Sequence, residues 1–192
     1  LTGYSTSEIY RGAKISATNT VSGVTSVRSA EVTVTGVASF KITNTSDGVL
    51  GNQVSGIPFN IKITAMDGLN GTGSVVTSFT GKVVLSSSTS ILSGGGETLS
   101  FVNGVLASHT MTLGTSGTGI KINAINPLDP TAFGSTTLDV TSSVWMGAAG
   151  STDFAVASNW VGNAVPISGA DIQYATTPLN DCILLSDRTI GS

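Results

Sequence analysis

The sequence predicts an all-β protein made of antiparallel sandwiches, because of its composition, its alternating strand-length runs and a long internal repeat. Thr, Val, Ile and Ser are abundant, and β-branched side chains suit a pleated sheet better than a helix. Charged residues make up only 10% of the chain and hydrophobic residues 40%, which disfavours a disordered chain. We therefore expect a folded protein whose 24 glycines lie mainly in turns and bulges.

Eight strand-like runs lie between residues 39 and 140, and no helical period interrupts them. Turn sequences such as Asp67-Gly68 and Asn103-Gly104 separate the runs, and they supply the positive φ values of tight hairpins. Within residues 57–66 the odd-numbered positions are apolar, which predicts one buried and one exposed face. The runs are residues 39–45, 57–66, 75–79, 82–87, 98–101, 105–113, 120–125 and 136–140.

An internal repeat indicates more than one domain. Residues 12–19 read GAKISATN, and residues 119–126 read GIKINAIN, which lies 107 residues later. Residues 32–35 then match residues 138–141 at a spacing of 106. A period of about 100 residues is typical of immunoglobulin-like domains, so each copy is predicted to be the closing hairpin of one such domain.

The repeat divides the chain into three predicted parts. Residues 1–37 would be the C-terminal strands of a preceding immunoglobulin-like domain, and residues 38–143 a complete immunoglobulin-like β-sandwich in tandem with it. Residues 144–192 would begin a further β domain, because both tryptophans, Trp145 and Trp160, occur after this boundary. Residues 141–143, Thr-Ser-Ser, would form a short linker.

Two sets of motifs resemble those of large cell-surface proteins of the Bacteroidota. The first resembles an opening that often leads into a parallel β-helix, and it consists of Trp145-Met146-Gly147, Ser151-Thr152-Asp153-Phe154, Asn159-Trp160, Pro166 and Asp171-Ile172. The second resembles the immunoglobulin-like repeats of the same organisms at residues 56–65, 77–86 and 101–105. The short motifs imply an architecture rather than a ligand.

This resemblance implies an extracellular protein that is associated with the outer membrane. Proteins of this kind cross that membrane through the type IX secretion machinery and serve as adhesins, including in gliding motility. We therefore expect a non-catalytic spacer or adhesin fragment of a large secreted surface protein. An accessory, carbohydrate-binding region of a secreted polysaccharide-degrading enzyme is the alternative, and a segment held as cargo by the export machinery is a third hypothesis.

Four aromatic residues are the candidates for contacting a glycan: Trp145, Phe154, Trp160 and Tyr174. Flat aromatic faces complement the C–H face of a sugar ring, which makes this cluster the only predicted ligand site. The simpler interpretation is that these side chains fill the start of the last domain and seal its junction with the sandwich.

Catalytic and cofactor sites are not predicted. His109 is the only histidine and lies in an apolar row with Val105, Ala107, Met111 and Leu113, which favours a structural role. Cys182 is predicted to be a buried apolar thiol, and one Cys with one His cannot complete a zinc shell. The glycine-rich residues 114–119 lack the Lys-Ser/Thr of a phosphate-binding loop and are predicted to be a hairpin loop.

Other ligand classes are constrained by charge and by loop chemistry. Asp47, Asp67, Asp129 and Asp139 are predicted to form Asx-turns; calcium stays open, with no ligand assigned. The net charge of −3 and the absence of a basic stripe disfavour nucleic acid. No sequence window is apolar enough for a transmembrane segment. The expected partners are the secretion machinery and an unidentified surface or glycan ligand, without an obligate oligomer.

Overall fold

The computed structural model describes residues 36–180 except Ala149 and Ser151, and this part of the chain is all-β, as predicted. It contains eleven strands and two short 3₁₀ helices, Leu69–Gly71 and Ala157–Asn159. The strands are β1 (Ser39–Thr43), β2 (Gln53–Val54), β3 (Phe59–Met66), β4 (Val84–Ser87), β5 (Ile91–Ser93), β6 (Gly96–Glu97), β7 (Val105–Leu113), β8 (Gly117–Asn126), β9 (Asp129–Thr141), β10 (Ser143–Trp145) and β11 (Ile172–Tyr174).

Nine strands form one curled sheet in the order β5-β7-β3-β1-β9-β8-β4-β6, with β2 paired to β9. Neighbours are antiparallel except that β1 and β2 run parallel to β9. In the described residues β1 joins β9 through one Cα pair, Ser39 with Phe133. The two edge strands, β5 and β6, are consecutive in the chain and are separated only by Gly94-Gly95. This short connection brings the two edges of the sheet close together.

The second copy of the repeat is a hairpin in the structure. It forms β8 and β9, in which Ile120 lies opposite Leu138. The first copy, residues 12–19 and 32–35, lies outside the described residues. The immunoglobulin-like and tandem arrangements therefore stay predictions at this point.

The curled sheet encloses one hydrophobic core that receives side chains from β1, β3, β4, β7, β8 and β9. Ile61 and Ile63 of β3 are fully buried, as the alternation predicts. Phe40, Phe79 and Phe101 meet edge to face, with ring centroids 5.0 to 5.8 Å apart. Such aromatic contacts stabilise a core beyond the area that they bury.

Strand β7 contains a bulge that the sequence does not reveal. Ile61 of β3 pairs with one residue of β7 and Ile63 pairs with another three positions away, so β7 has one extra residue there. Val105 and Ala107 were predicted to share the buried face with the end of the strand. This prediction was wrong: Leu106 is buried instead and Ala107 is exposed, because the bulge reverses the alternation.

Two predicted strands, residues 75–79 and residues 98–101, are loops in the structure. The N–H of Phe79 donates a hydrogen bond of 3.0 Å to the carbonyl of Val76, which closes a turn. Phe79 and Phe101 are thereby directed into the aromatic core. Over four or five residues, an inward-bending loop and a strand have the same apolar pattern, so the sequence could not separate them.

A second, two-stranded sheet follows the curled sheet. Strands β10 and β11 are parallel, with Ser143 opposite Ile172 and Trp145 opposite Tyr174. Ser142 is the single residue between β9 and β10. The second sheet is thus placed directly at the end of the first, without a flexible connection.

The place where β1 meets β9 provides a test of the fold. A Cβ atom on Gly134 of β9 would overlap the carbonyl oxygen of Phe40, which leaves no room for a side chain. We predict that Gly134→Ala lowers the free energy of unfolding by about 2 kcal/mol or more, as overpacking does. Urea denaturation followed by circular dichroism measures this loss.

Gly51→Ala is the matched control, since a Cβ atom on Gly51 would meet no heavy atom within 4 Å. It should change the free energy of unfolding by less than about 0.5 kcal/mol. Equal stability of the two variants would contradict the close approach of β1 and β9.

Candidate functional site

Three of the four predicted glycan-binding residues pack against one another. Trp145 ends β10 and forms a bridge with Trp160, which follows the second 3₁₀ helix, and Phe154 lies in the turn before that helix. The ring centroids of Phe154 and Trp160 are 4.6 Å apart and those of the two indoles 5.3 Å, both edge to face. Val165 and Ile172 pack against this aromatic cluster.

The polar edges of the two indoles are satisfied inside the protein. Nε1 of Trp160 donates a hydrogen bond of 2.9 Å to the carbonyl of Phe154, and Nε1 of Trp145 donates one of 3.1 Å to the carbonyl of Asn180. Buried indoles need such acceptors. The aromatic cluster is therefore built as a small core.

Asn159, which precedes Trp160, completes the local structure. Its carbonyl accepts hydrogen bonds from the N–H groups of Met146 (2.7 Å) and Gly147 (3.2 Å). Its side-chain amide donates to the carbonyl of Asp153 at 3.1 Å. Asn159 of the Asn-Trp pair thus connects residues 146–147 with Asp153.

The burial of these rings decides what the cluster can do. Trp145, Phe154 and Trp160 are buried, so their faces are covered by each other and are not presented to a sugar in this arrangement. Tyr174 is brought beside them by β11, but its side chain is 55% exposed. Glycan contact stays a prediction, with Tyr174 as the residue whose surface is accessible.

A buried serine that the sequence analysis missed attaches the second sheet to the first. Ser55 follows β2 and has no exposed surface. Its hydroxyl donates a hydrogen bond of 2.5 Å to the carbonyl of Gly114 and accepts one of 2.8 Å from the N–H of Asp171. Its carbonyl accepts from the hydroxyl of Ser143 at 2.7 Å, and its N–H donates to the carbonyl of Thr141 at 2.8 Å. The hydrogen bonds of Ser55 therefore connect Gly114 and Thr141, which belong to the curled sheet and its loop, with Ser143 and Asp171 of the following segment.

Asp171 extends this network to the loop between β7 and β8. Its carboxylate accepts hydrogen bonds from the N–H (2.8 Å) and the hydroxyl (3.0 Å) of Ser116. Because β7 and β8 are not paired with each other, the prediction that residues 114–119 form a hairpin loop was wrong. The loop crosses between distant strands, and Ser116 directs its amide at a carboxylate of the same chain.

Gly56 allows the two sheets to approach closely. Its φ is 74°, its N–H donates to the carbonyl of Leu113 (2.8 Å), and its carbonyl accepts from the N–H of Ile167 (3.1 Å). A Cβ atom at this position would overlap that of Ala170 and approach that of Pro166 to 2.9 Å. Glycine is required here both for its positive φ and for the lack of space.

His109 is hydrogen-bonded within the fold. Its Nε2 donates a hydrogen bond of 2.8 Å to the carbonyl of Gly94 in the turn between β5 and β6. This bond fixes that turn against β7. Cys182, the other candidate for reactivity, lies outside the described residues.

The four aspartates considered for calcium each bind groups of this chain. Of the contacts given below, only that of Asp129 joins a side chain to the N–H two residues later, as in the predicted Asx-turn. The contacts of the other three aspartates are with more distant residues. Between residues 36 and 180, leaving out the two undescribed positions, no group of three or more His, Cys, Asp or Glu is placed to hold a metal. The contacts are Asp47 with Lys62 Nζ (2.7 Å), Asp67 with Ser74 N–H (2.7 Å), Asp129 with Thr131 N–H (3.1 Å) and Asp139 with Gly119 N–H (2.9 Å).

Comparison of the chain with protein-family models, with curated proteins and with solved structures finds no match in any of the three. None of the helices in the described residues is long and apolar enough to cross a membrane. The geometry defines a β protein whose last described segment, residues 143–180, is docked on a curled sheet by the Ser55 junction and filled by the aromatic cluster.

Both tryptophans of the chain belong to the aromatic cluster, so tryptophan fluorescence reports on this segment. We predict that Ser55→Ala shifts the urea transition seen by fluorescence to lower concentration, with a loss of about 1–3 kcal/mol. The cause is that the N–H of Asp171 and the carbonyl of Gly114 each lose a buried partner.

Ser86→Ala, at an exposed position of β4, is the control and should leave the transition unchanged. If Ser55→Ala were as stable as Ser86→Ala, Ser55 would not hold the junction together.

Proposed function

We propose that this chain is a non-catalytic part of a large secreted cell-surface protein, in which tandem immunoglobulin-like domains act as a stiff spacer or adhesive unit during attachment or gliding. The observation that carries this proposal is the Ser55 junction, where buried hydrogen bonds connect successive parts of the chain. A spacer holds a binding region at a distance only if its junctions resist bending.

The strand order supports the immunoglobulin-like part of the proposal. If the single Cα pair between β1 and β9 is set aside, the sheet separates into β5-β7-β3-β1 and β9-β8-β4-β6. With the two-residue strand β6 left out, these two groups correspond in chain order to the first, second, fourth and fifth strands of an immunoglobulin-like sandwich facing its third, sixth and seventh. The additional strand β2 runs parallel to β9.

The connection between the two sheets supports stiffness. Flexible linkers in proteins are usually runs of Gly and Ser that make few contacts. Here Ser142 alone lies between β9 and β10, and its hydroxyl donates a hydrogen bond of 3.2 Å to Ser116. Gly56 and Ala170 are in close contact beside it. Bending at this point would break buried hydrogen bonds, which is costly.

The cell-surface part of the proposal comes from the motif resemblance, and the structure adds a physical reason for two of those motifs. Gly56, which begins one motif, is the residue that permits the close junction. Asn159-Trp160, from the other motif, organises the aromatic cluster. Secretion by the type IX machinery and association with the outer membrane follow from the resemblance alone.

An antibody raised against the 192-residue chain tests the location. Intact cells that produce the protein should be labelled without permeabilisation, because a surface spacer is accessible from outside. An antibody against a cytoplasmic protein serves as the control for cell integrity. Labelling that requires permeabilisation would refute the surface location.

A carbohydrate-binding accessory region is the second candidate, and the exposed ring of Tyr174 is the observation that favours it. This tyrosine lies on β11 opposite Trp145 of the aromatic cluster. An exposed ring held by a rigid strand can stack on a sugar without an ordering cost in the protein.

We predict that, if this region binds glycans, Tyr174→Ala reduces binding on a glycan array by about tenfold, the equivalent of roughly 1.4 kcal/mol. Leu179→Ala, at another exposed position of the same segment, is the matched control and should bind as the wild type does. Trp160→Ala is unsuitable because it would remove part of the buried cluster. Equal binding by the Tyr174 and Leu179 variants would contradict this candidate.

A further inference from the structure

The chain enters and leaves the curled sheet at opposite ends of strand β9. It enters at the leading end, where Val37 precedes β1 and Ser39 lies beside Phe133 of β9. It leaves at the trailing end, where Ser142 follows Thr141, the last residue of β9. Along a strand that rises about 3.3 Å per residue, Phe133 and Thr141 are about 26 Å apart.

The two strands that precede β3 in the chain, β1 and β2, both run parallel to β9. Strand β2 pairs with the last two residues of β9, Val140 and Thr141. The N–H of Ser55 donates a hydrogen bond of 2.8 Å to the carbonyl of Thr141, and the hydroxyl of Thr141 donates one of 3.3 Å to the carbonyl of Gln53. The end of β9 is therefore bonded across to the strand that follows β1.

Tension along the chain loads these parallel pairs in shear. It draws β1 toward the leading end and β9 toward the trailing end, so the strands slide along each other. Hydrogen bonds of a parallel pair are evenly spaced across the strands, and sliding strains all of them together. Strands that are peeled apart from one end lose the same bonds one at a time. Because each lost bond costs free energy, sliding has the higher barrier.

The second sheet repeats this geometry. The chain enters β10 at Ser143 and leaves the parallel strand β11 after Tyr174, so tension draws β10 toward the curled sheet and β11 away from it. The N–H of Ser143 donates a hydrogen bond of 2.9 Å to the carbonyl of Asp171 at one end of the pair. The N–H of Ala175 donates one of 2.8 Å to the carbonyl of Trp145 at the other end.

We infer that this chain bears tension, with the parallel pairs β2–β9 and β10–β11 as two mechanical clamps in series, and this inference rests on the proposed spacer role. Ser142 is the single residue between β9 and β10, so load passes directly from one clamp to the next. Both clamps are loaded in shear by the same pull. A spacer that holds a binding region away from a cell experiences such a pull whenever the bound object moves.

Single-molecule unfolding at constant force tests this inference, because forced unfolding is governed by the unfolding rate. In a Cys182→Ser background, the 192-residue chain is held at its N-terminus and at a thiol introduced by Thr177→Cys, an exposed position after β11. This first arrangement loads both clamps in shear. The released length, about 3.5 Å per residue, identifies the part that opens.

A second arrangement, held at the N-terminus and at Leu128→Cys, is the matched control. Leu128 is 92% exposed at the tip of the β8–β9 hairpin, and it lines one groove together with Val37. Load between these neighbouring points peels β1 from β9, beginning at the leading end. At equal force, the curled sheet should unfold about tenfold more slowly in the first arrangement, since several bonds must break together.

Thr141→Val tests the β2–β9 clamp itself, because it keeps the shape of the side chain and removes the hydrogen bond to Gln53. It should accelerate unfolding of the curled sheet by about threefold in the first arrangement and leave the second unchanged. Thr137→Val, at an exposed position of β9 opposite Lys121 of β8, is the control and should change neither rate.

Equal unfolding rates of the curled sheet in the two arrangements would overturn the inference. A Thr141→Val variant that unfolds as the wild type does in both would overturn the assignment of the clamp to β2 and β9. Equal stability of the Thr177→Cys and Leu128→Cys proteins in urea attributes any difference in rate to the direction of the load. None of these results would affect the surface location, which antibody labelling tests separately.

Discussion

The hydrogen bonds of Ser55 are the constraint on which the arrangement of the chain depends. The end of a sheet exposes main-chain groups that have no neighbouring strand, and burying them without partners is costly. Ser55 supplies partners for Thr141 and Gly114 on the sheet and for Ser143 and Asp171 on the following segment. Because Ser55 supplies hydrogen-bond partners to both parts, the following segment can be packed against the sheet without leaving buried polar groups unpaired. The positive φ of Gly56 and the single-residue connection favour this docked position, in which Gly56 lies close to Ala170 and Pro166.

The aromatic cluster, together with the Ser55 junction, stabilises residues 143–180. In the described residues 143–180, the buried hydrophobic side chains are the three rings of this cluster and Ala170. Two tryptophans and a phenylalanine concentrate much apolar surface in few residues. Docking at Ser55 then supplies the remaining partners. This explains physically why the chain places both of its tryptophans after the curled sheet rather than within it.

The sequence predicted the features that depend on local pattern and missed those that depend on distant contacts. The alternation of β3, the β8–β9 hairpin and the packing role of Trp145 and Trp160 are readable, because period, turn chemistry and aromatic clustering are local signals. The bulge in β7 is invisible, since it is set by the register with β3. Ser55 could not be distinguished in a chain so rich in serine, because its role comes from residues up to 116 positions away.

In the proposed tandem array, contacts between successive units have a direction, because the trailing end of the curled sheet, where Ser142 follows β9, differs in chemistry from the leading end, where Val37 precedes β1. The trailing end of the curled sheet offers a buried polar network, while Pro166, Ile167 and Ala170 of the following segment supply small or apolar surface to it. The leading end of the curled sheet is itself apolar, with Leu128 at its tip, and so it resembles the surface that the following segment presents. Two leading ends would bury no complementary hydrogen-bonding groups, and two trailing ends would leave polar groups unpaired. In the proposed array, a head-to-tail order therefore satisfies both the polar groups and the apolar surface, and such heterologous contacts extend an array rather than close it.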